Sequence, residues 1–63
     1  TAYHNRGVVK AAIGDYNGAI SDYNKAIEIN PQLKFSFFSR GNVKVKLKDN
    51  IGAMYDFFQS YRT

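Results

Sequence analysis

Few residues in this chain have the type and spacing to carry out a reaction. His4 is the single histidine, and there is no cysteine. A lone imidazole without a carboxylate or thiolate cluster makes neither a tetrahedral metal site nor a nucleophile–base triad. Asp15 and Asp49 resemble a pair of acid–base carboxylates, but each sits at a turn signal just ahead of an apolar-periodic run. An aspartate there serves as a cap, accepting hydrogen bonds from the unpaired first-turn amides of a helix. Gly7, Gly14 and Gly18 do not form a phosphate cradle, because no Gly-x-x-x-x-Gly-Lys-Ser/Thr string is present. The expectation is a non-catalytic protein with no cofactor, no metal and no small-molecule substrate.

Lys44, Lys46 and Lys48, with Phe35 and Phe38 nearby, suggest a second chemistry, the binding of RNA by cations and stacking rings. On a helix, Lys44 and Lys48 share a face and Lys46 points elsewhere, so no single basic stripe forms. Nucleic acid is therefore the secondary reading, behind solvated lysines that keep the chain soluble. The charge is uneven. Residues 1–30 carry three cations and three anions, and residues 31–63 carry six cations against two anions, which accounts for the whole net charge of +4. Any attraction to an acidic partner sits in the second half.

The elements that position these residues are constrained by length. Sixty-three residues make one small domain. A chain of this size buries only about 60% of the surface that it exposes when unfolded, so tight packing or a partner must supply stability. Ten residues are Tyr or Phe, enough apolar material to argue against a disordered tail. No apolar run reaches the length that spans a bilayer, and residues 1–6 lack a signal-peptide pattern. The cytoplasm is the favoured compartment, although no residue fixes it. The chain begins and ends inside its own periodic pattern, so it is expected to be an excerpt from a longer array.

The period is 34 residues. At that shift Arg6-Gly7 falls on Arg40-Gly41, Val9-Lys10 on Val43-Lys44, Asp15 on Asp49, Gly18-Ala19 on Gly52-Ala53, and Asp22 on Asp56. Tyr3 and Phe37, Ile13 and Leu47, Ile20 and Met54, and Tyr23 and Phe57 add conservative pairs. Eight of 29 gap-free pairs are identical. Each unit reads as two helices. In residues 1–30 they run over about 2–13 and 16–29, broken at Gly14-Asp15 and closed by Asn30-Pro31, since proline disfavours the helical region for the residue before it. In residues 31–63 they run over about 34–48 and 51–62, with Asp49-Asn50 as the turn. Val43 to Lys48 alternates in the manner of a strand. The repeat register assigns it to a helix, because its counterpart in unit one does not alternate.

This arrangement resembles the tetratricopeptide repeat, whose pattern is W-x2-L-G-x2-Y, then A-x3-F, then P, on a 34-residue period. Unit one supplies Tyr3, Gly7, Ala19, Tyr23, Ala26 and Pro31. Unit two supplies Phe37, Gly41, Ala53 and Phe57. The resemblance covers the whole chain. It implies an all-α fold of two tandem helix–turn–helix units, four helices in all, forming part of a right-handed α-solenoid. Gly7 with Ala19, and Gly41 with Ala53, should let the two helices of each unit approach closely, and Ala26 should make room for the next unit. Arg6, Lys10, Arg40 and Lys44 depart from the pattern, which is apolar or aromatic there. Because Asp22 and Asp56 keep the same register, internal ion pairs Arg6–Asp22 and Arg40–Asp56 are expected, with the lysine stems lying over apolar surface.

The resemblance also implies a protein- or peptide-binding scaffold whose first helices line a concave groove. By register that face holds Thr1, His4, Val8, Ala11 and Ala12, then Phe35, Phe38, Asn42, Val45 and Lys46. Some members clamp a chaperone's terminal carboxylate with a Lys and an Asn one turn apart. Here those places hold His4 and Val8, then Phe38 and Asn42, so only Asn42 matches and chaperone-tail binding is not implied. The last helix is apolar on more than one face. Met54, Tyr55, Phe58 and Tyr61 are therefore expected to meet a following repeat or a second copy of the chain.

Overall fold

The computed structural model describes residues 1–31 and 34–62. They form four helices, α1 (Ala2–Ala12), α2 (Tyr16–Ile29), α3 (Lys34–Lys46) and α4 (Asn50–Arg62), with no strand among the described residues. The alternating segment Val43–Lys48 is helical through Lys46. The repeat register, not the local alternation, gave the correct assignment.

The same device joins the two helices of each unit. At the end of α1, the Gly14 amide donates to the Ala11 carbonyl (3.1 Å) and the Asp15 amide to the Lys10 carbonyl (2.8 Å). This pair of bonds is the Schellman closure, which needs a left-handed residue between helix and exit. Gly14 provides it at φ +89°. Asp15 then caps α2, its Oδ1 accepting from the Gly18 amide at 3.0 Å. One aspartate thus ends one helix and starts the next. In unit two, the Lys48 and Asp49 amides close on Val45 (2.9 Å) and Lys44 (2.8 Å), and Asp49 caps Gly52 at 3.0 Å. Lys48 is the left-handed residue there, at φ 62°. This closure stops α3 at Lys46, two residues short of the expected end, and starts α4 at Asn50, inside the expected turn. At the end of α2, Asn30 is extended (φ −138°, ψ 94°), as Pro31 requires.

α1 packs on α2 and α3 on α4. α2 also packs on α3, while α1 touches α3 only lightly. The central helix α2 buries Ala19, Asp22, Tyr23 and Ala26. Ala19, Tyr23 and Val43 form the centre of the apolar core. The close approach at Gly7 is to a ring, not to Ala19. A Cβ at Gly7 would lie 2.7 Å from Tyr23 Cε1, and one at Gly41 would lie 2.8 Å from Phe57 Cε1. Each glycine therefore seats the aromatic ring of its partner helix. Phe37 is buried, but its counterpart Tyr3 is exposed: among the described residues α3 packs against both α2 and α4, whereas α1 has α2 as its main neighbour.

Candidate partner-binding site

Two charged clusters fix the helices that carry the candidate site. Arg6 and Lys10 lie one turn apart on α1 and converge on Asp22 of α2. Arg6 Nε and Nη2 donate to Asp22 Oδ2 (2.9 Å) and Oδ1 (2.7 Å), and Lys10 Nζ lies 3.3 Å from Oδ2. Arg40, Lys44 and Asp56 repeat the geometry at 2.9, 2.7 and 3.1 Å. The lysines are therefore partners in the ion cluster and do not simply cover apolar surface. Arg40 makes a further bond, from Nη1 to Asn24 Oδ1 at 2.7 Å, which ties unit two to α2. The Arg6 side chain is 59% exposed and the Arg40 side chain 13%. Hydrogen bonding from Arg6 holds the Asp22 carboxyl down at about 2, with help from Lys10 and against the opposing effect of burial.

Between α1 and α3 lies a groove of about 410 Å³. Val8, Ala11 and Ala12 line it from α1, and Ser39, Asn42, Val43 and Lys46 from α3. Tyr16 and Tyr23 of α2 complete it. Small side chains on α1 leave the space open, while Asn42 and Lys46, one turn apart, present an amide and a cation at its α3 edge. Burial raises the pKa of the Tyr23 phenol against the opposing hydrogen bond to Ser39, so it stays protonated and neutral in the groove wall.

The groove brings together Val8, Ala11, Ala12, Asn42 and Lys46 from the expected set, and leaves out Thr1, His4, Phe35, Phe38 and Val45. His4 is turned to packing. Its Nδ1 lies 2.8 Å from Ser36 Oγ, and its ring lies 5.5 Å from that of Tyr23. Burial lowers its pKa. Phe38, the register counterpart of His4, packs on Phe57 at 5.6 Å and lines a separate cavity with Lys34, Ser60 and Tyr61. Phe35 and Val45 are exposed outside the groove. Sequence reasoning missed Tyr16, Tyr23, Ser39 and Val43 as lining residues. Tyr23 is legible in the sequence only as a structural position of the repeat pattern, although a side chain of that length presents a polar tip beyond its apolar body. Asn24 was also missed as a partner of Arg40. The only signal was its polarity at a position where unit two has Phe58.

Lys44 is engaged with Asp56, so of the three lysines considered for nucleic acid, Lys46 and Lys48 are the exposed pair. Among the described residues, no group of three or more His, Cys, Asp or Glu side chains is placed to hold a metal, and no helix is long and apolar enough to cross a membrane. The sequence pattern of the tetratricopeptide repeat matches residues 1–33. Comparison with curated proteins and with solved structures gives no significant match.

Proposed function

Because this chain belongs to the tetratricopeptide repeat family, whose repeats generally mediate protein–protein interaction, we propose that it is a non-catalytic scaffold that binds an extended peptide segment in the groove between α1 and α3. The observation that carries this reading is the pairing of an open, small-residue wall with a polar edge. Val8, Ala11 and Ala12 accept a small apolar side chain, and Asn42 offers an amide that both donates to and accepts from a peptide backbone. Lys46 supplies a positive charge for a carboxylate. Such a mixture of apolar anchor and polar rim is typical of peptide recognition. The preferred ligand is a segment with an acidic residue beside a small apolar one.

A peptide library displayed against the chain tests this. Enriched peptides should share that acidic–apolar pair, and Lys46→Glu should abolish their binding while Phe38→Asp, outside the groove, leaves it intact. Binding unchanged by Lys46→Glu and Asn42→Ala would place the ligand elsewhere.

A further inference from the structure

One residue pair in unit one has a reactivity that its register counterpart lacks. Asn17-Gly18 of α2 corresponds to Ile51-Gly52 of α4. The chain has six asparagines, and only Asn17 is followed by glycine; the others precede Arg, Lys, Pro, Val and Ile. An asparagine side-chain amide is open to attack by the main-chain nitrogen of the next residue. Glycine favours that attack, because it has no side chain to hinder approach and its backbone turns freely. Asn17 is exposed to the water that completes such a reaction.

The fold restrains the attacking nitrogen. Gly18 is the third residue of α2, so its amide is one of the first-turn donors that no helix carbonyl can reach. Its acceptor is Asp15 Oδ1 at 3.0 Å. The carboxylate lies directly over Gly18, since a Cβ there would collide with Asp15 Oδ2. Ring closure needs the Gly18 nitrogen to swing towards Asn17 Cγ, with the Asn17 ψ outside the helical range. That motion breaks the bond to Asp15 and unwinds the first turn of α2. One side-chain hydrogen bond at an exposed helix end therefore stands between this pair and its chemistry.

We propose that Asn17-Gly18 is a site of spontaneous deamidation and that the Asp15 cap gates it. In the opened turn the Gly18 nitrogen bonds to Asn17 Cγ, the Cγ–Nδ2 bond breaks, and ammonia leaves carrying the Gly18 amide proton. The succinimide that results takes up one water. Opening at one carbonyl gives aspartate, and opening at the other gives isoaspartate. Nothing is oxidised or reduced. The two products act differently on the fold. Aspartate adds a negative charge to the first turn of α2, the helix end where it is favoured. Isoaspartate adds a methylene to the main chain between Tyr16 and Gly18, so Asp15 no longer meets the Gly18 amide in register. Tyr16 belongs to the groove wall, and the modification therefore reaches the groove from a residue outside it.

Incubation at mildly alkaline pH, with peptide mapping for aspartate and isoaspartate at residue 17, tests this. The parent unfolded in urea should convert fastest, and the folded parent more slowly. Asp15→Ala should speed conversion of the folded chain about 2- to 30-fold, the span that loss of an N-cap gives to opening of a helix end. Asp15→Asn keeps a capping oxygen and should stay within about twofold of the parent. Asp49→Ala removes the matching cap of α4 and should leave conversion at residue 17 near the parental rate. A folded parent that converts as fast as the unfolded chain overturns the proposal. So does a rise in Asp15→Asn or Asp49→Ala equal to that in Asp15→Ala, since charge or global unfolding would then set the rate. If circular dichroism shows that Asp15→Ala has lost its helices, hydrogen exchange of the parent decides. Relative to their unfolded rates, the Gly18 amide should exchange more slowly than the Asn17 amide, and equal protection of the two overturns the gate.

Discussion

Asp56→Ala should be the most damaging single change in this chain. The carboxylate is completely buried and accepts from Arg40 through two nitrogens and from Lys44 at 3.1 Å. Removing it leaves two cations facing each other in a region where their side chains are only 13 and 20% exposed. Breaking a buried ion cluster from one side costs about 3–5 kcal/mol. At about 0.05–0.15 kcal/mol per residue, a 63-residue chain holds a total of roughly 3–9 kcal/mol. The variant should therefore lie at or near its unfolding midpoint without denaturant. Urea titration followed by circular dichroism reads this directly. With a slope near 1 kcal/mol per molar, at the low end for small proteins, the midpoint falls by about 3–5 M. Asp22→Ala removes the register equivalent and should cost distinctly less, because the orphaned Arg6 is already 59% exposed and recovers its hydration. A loss at Asp22 equal to or greater than that at Asp56 would refute the view that burial of the cations sets the cost. Replacing Arg40, Lys44 and Asp56 together by Met, Leu and Leu should restore stability to within about 1 kcal/mol of the parent.

Three further perturbations follow from the geometry. Gly7→Ala should destabilise despite alanine's better helix propensity of about 1 kcal/mol, because its Cβ would meet the buried Tyr23 ring at 2.7 Å, and overpacking costs about 1–3 kcal/mol; a melting temperature at or above the parent's would contradict this. Lys48→Gly should raise stability by roughly 0.5–1 kcal/mol, since Lys48 holds the left-handed conformation (φ 62°) that Gly14 holds in unit one, and relief of strain outweighs glycine's greater freedom when unfolded; denaturant midpoints of the two chains decide it. The Asp22 carboxyl, held at about 2 against an ordinary 3.8, titrates lower in the folded than in the unfolded chain, so its stabilisation is complete above about pH 4 and is lost as pH falls through about 2. The stability gap between the parent and Asp22→Asn should accordingly narrow from pH 5 to pH 2, and a gap that stayed constant would show that the ion cluster does not set that pKa.

The sequence alone determined the fold class and most helix limits. A 34-residue period with glycine, alanine and aromatic positions in register is a local signal written twice, and it outweighed the strand-like alternation of Val43–Lys48. It also carried the pairing of Arg6 with Asp22 and of Arg40 with Asp56, because opposite charges were kept at matched positions. Only the tertiary structure decided how far each residue's reach extends. Register assigns a residue to a helix face, but His4 and Phe38 occupy the same register position with different roles. Ser36 of the next unit lies within hydrogen-bond distance of His4, whereas Phe38 lies on Phe57 beside an open cavity. Tyr23 was visible as a structural position of the repeat but not as part of the groove wall, since a period says nothing about the far end of a long side chain. The capture of Asn24 by Arg40 and the engagement of Lys44 with Asp56 likewise depend on which helix lies opposite. Periodicity reports how a residue sits on its own helix, and the neighbour across the interface decides what that position does.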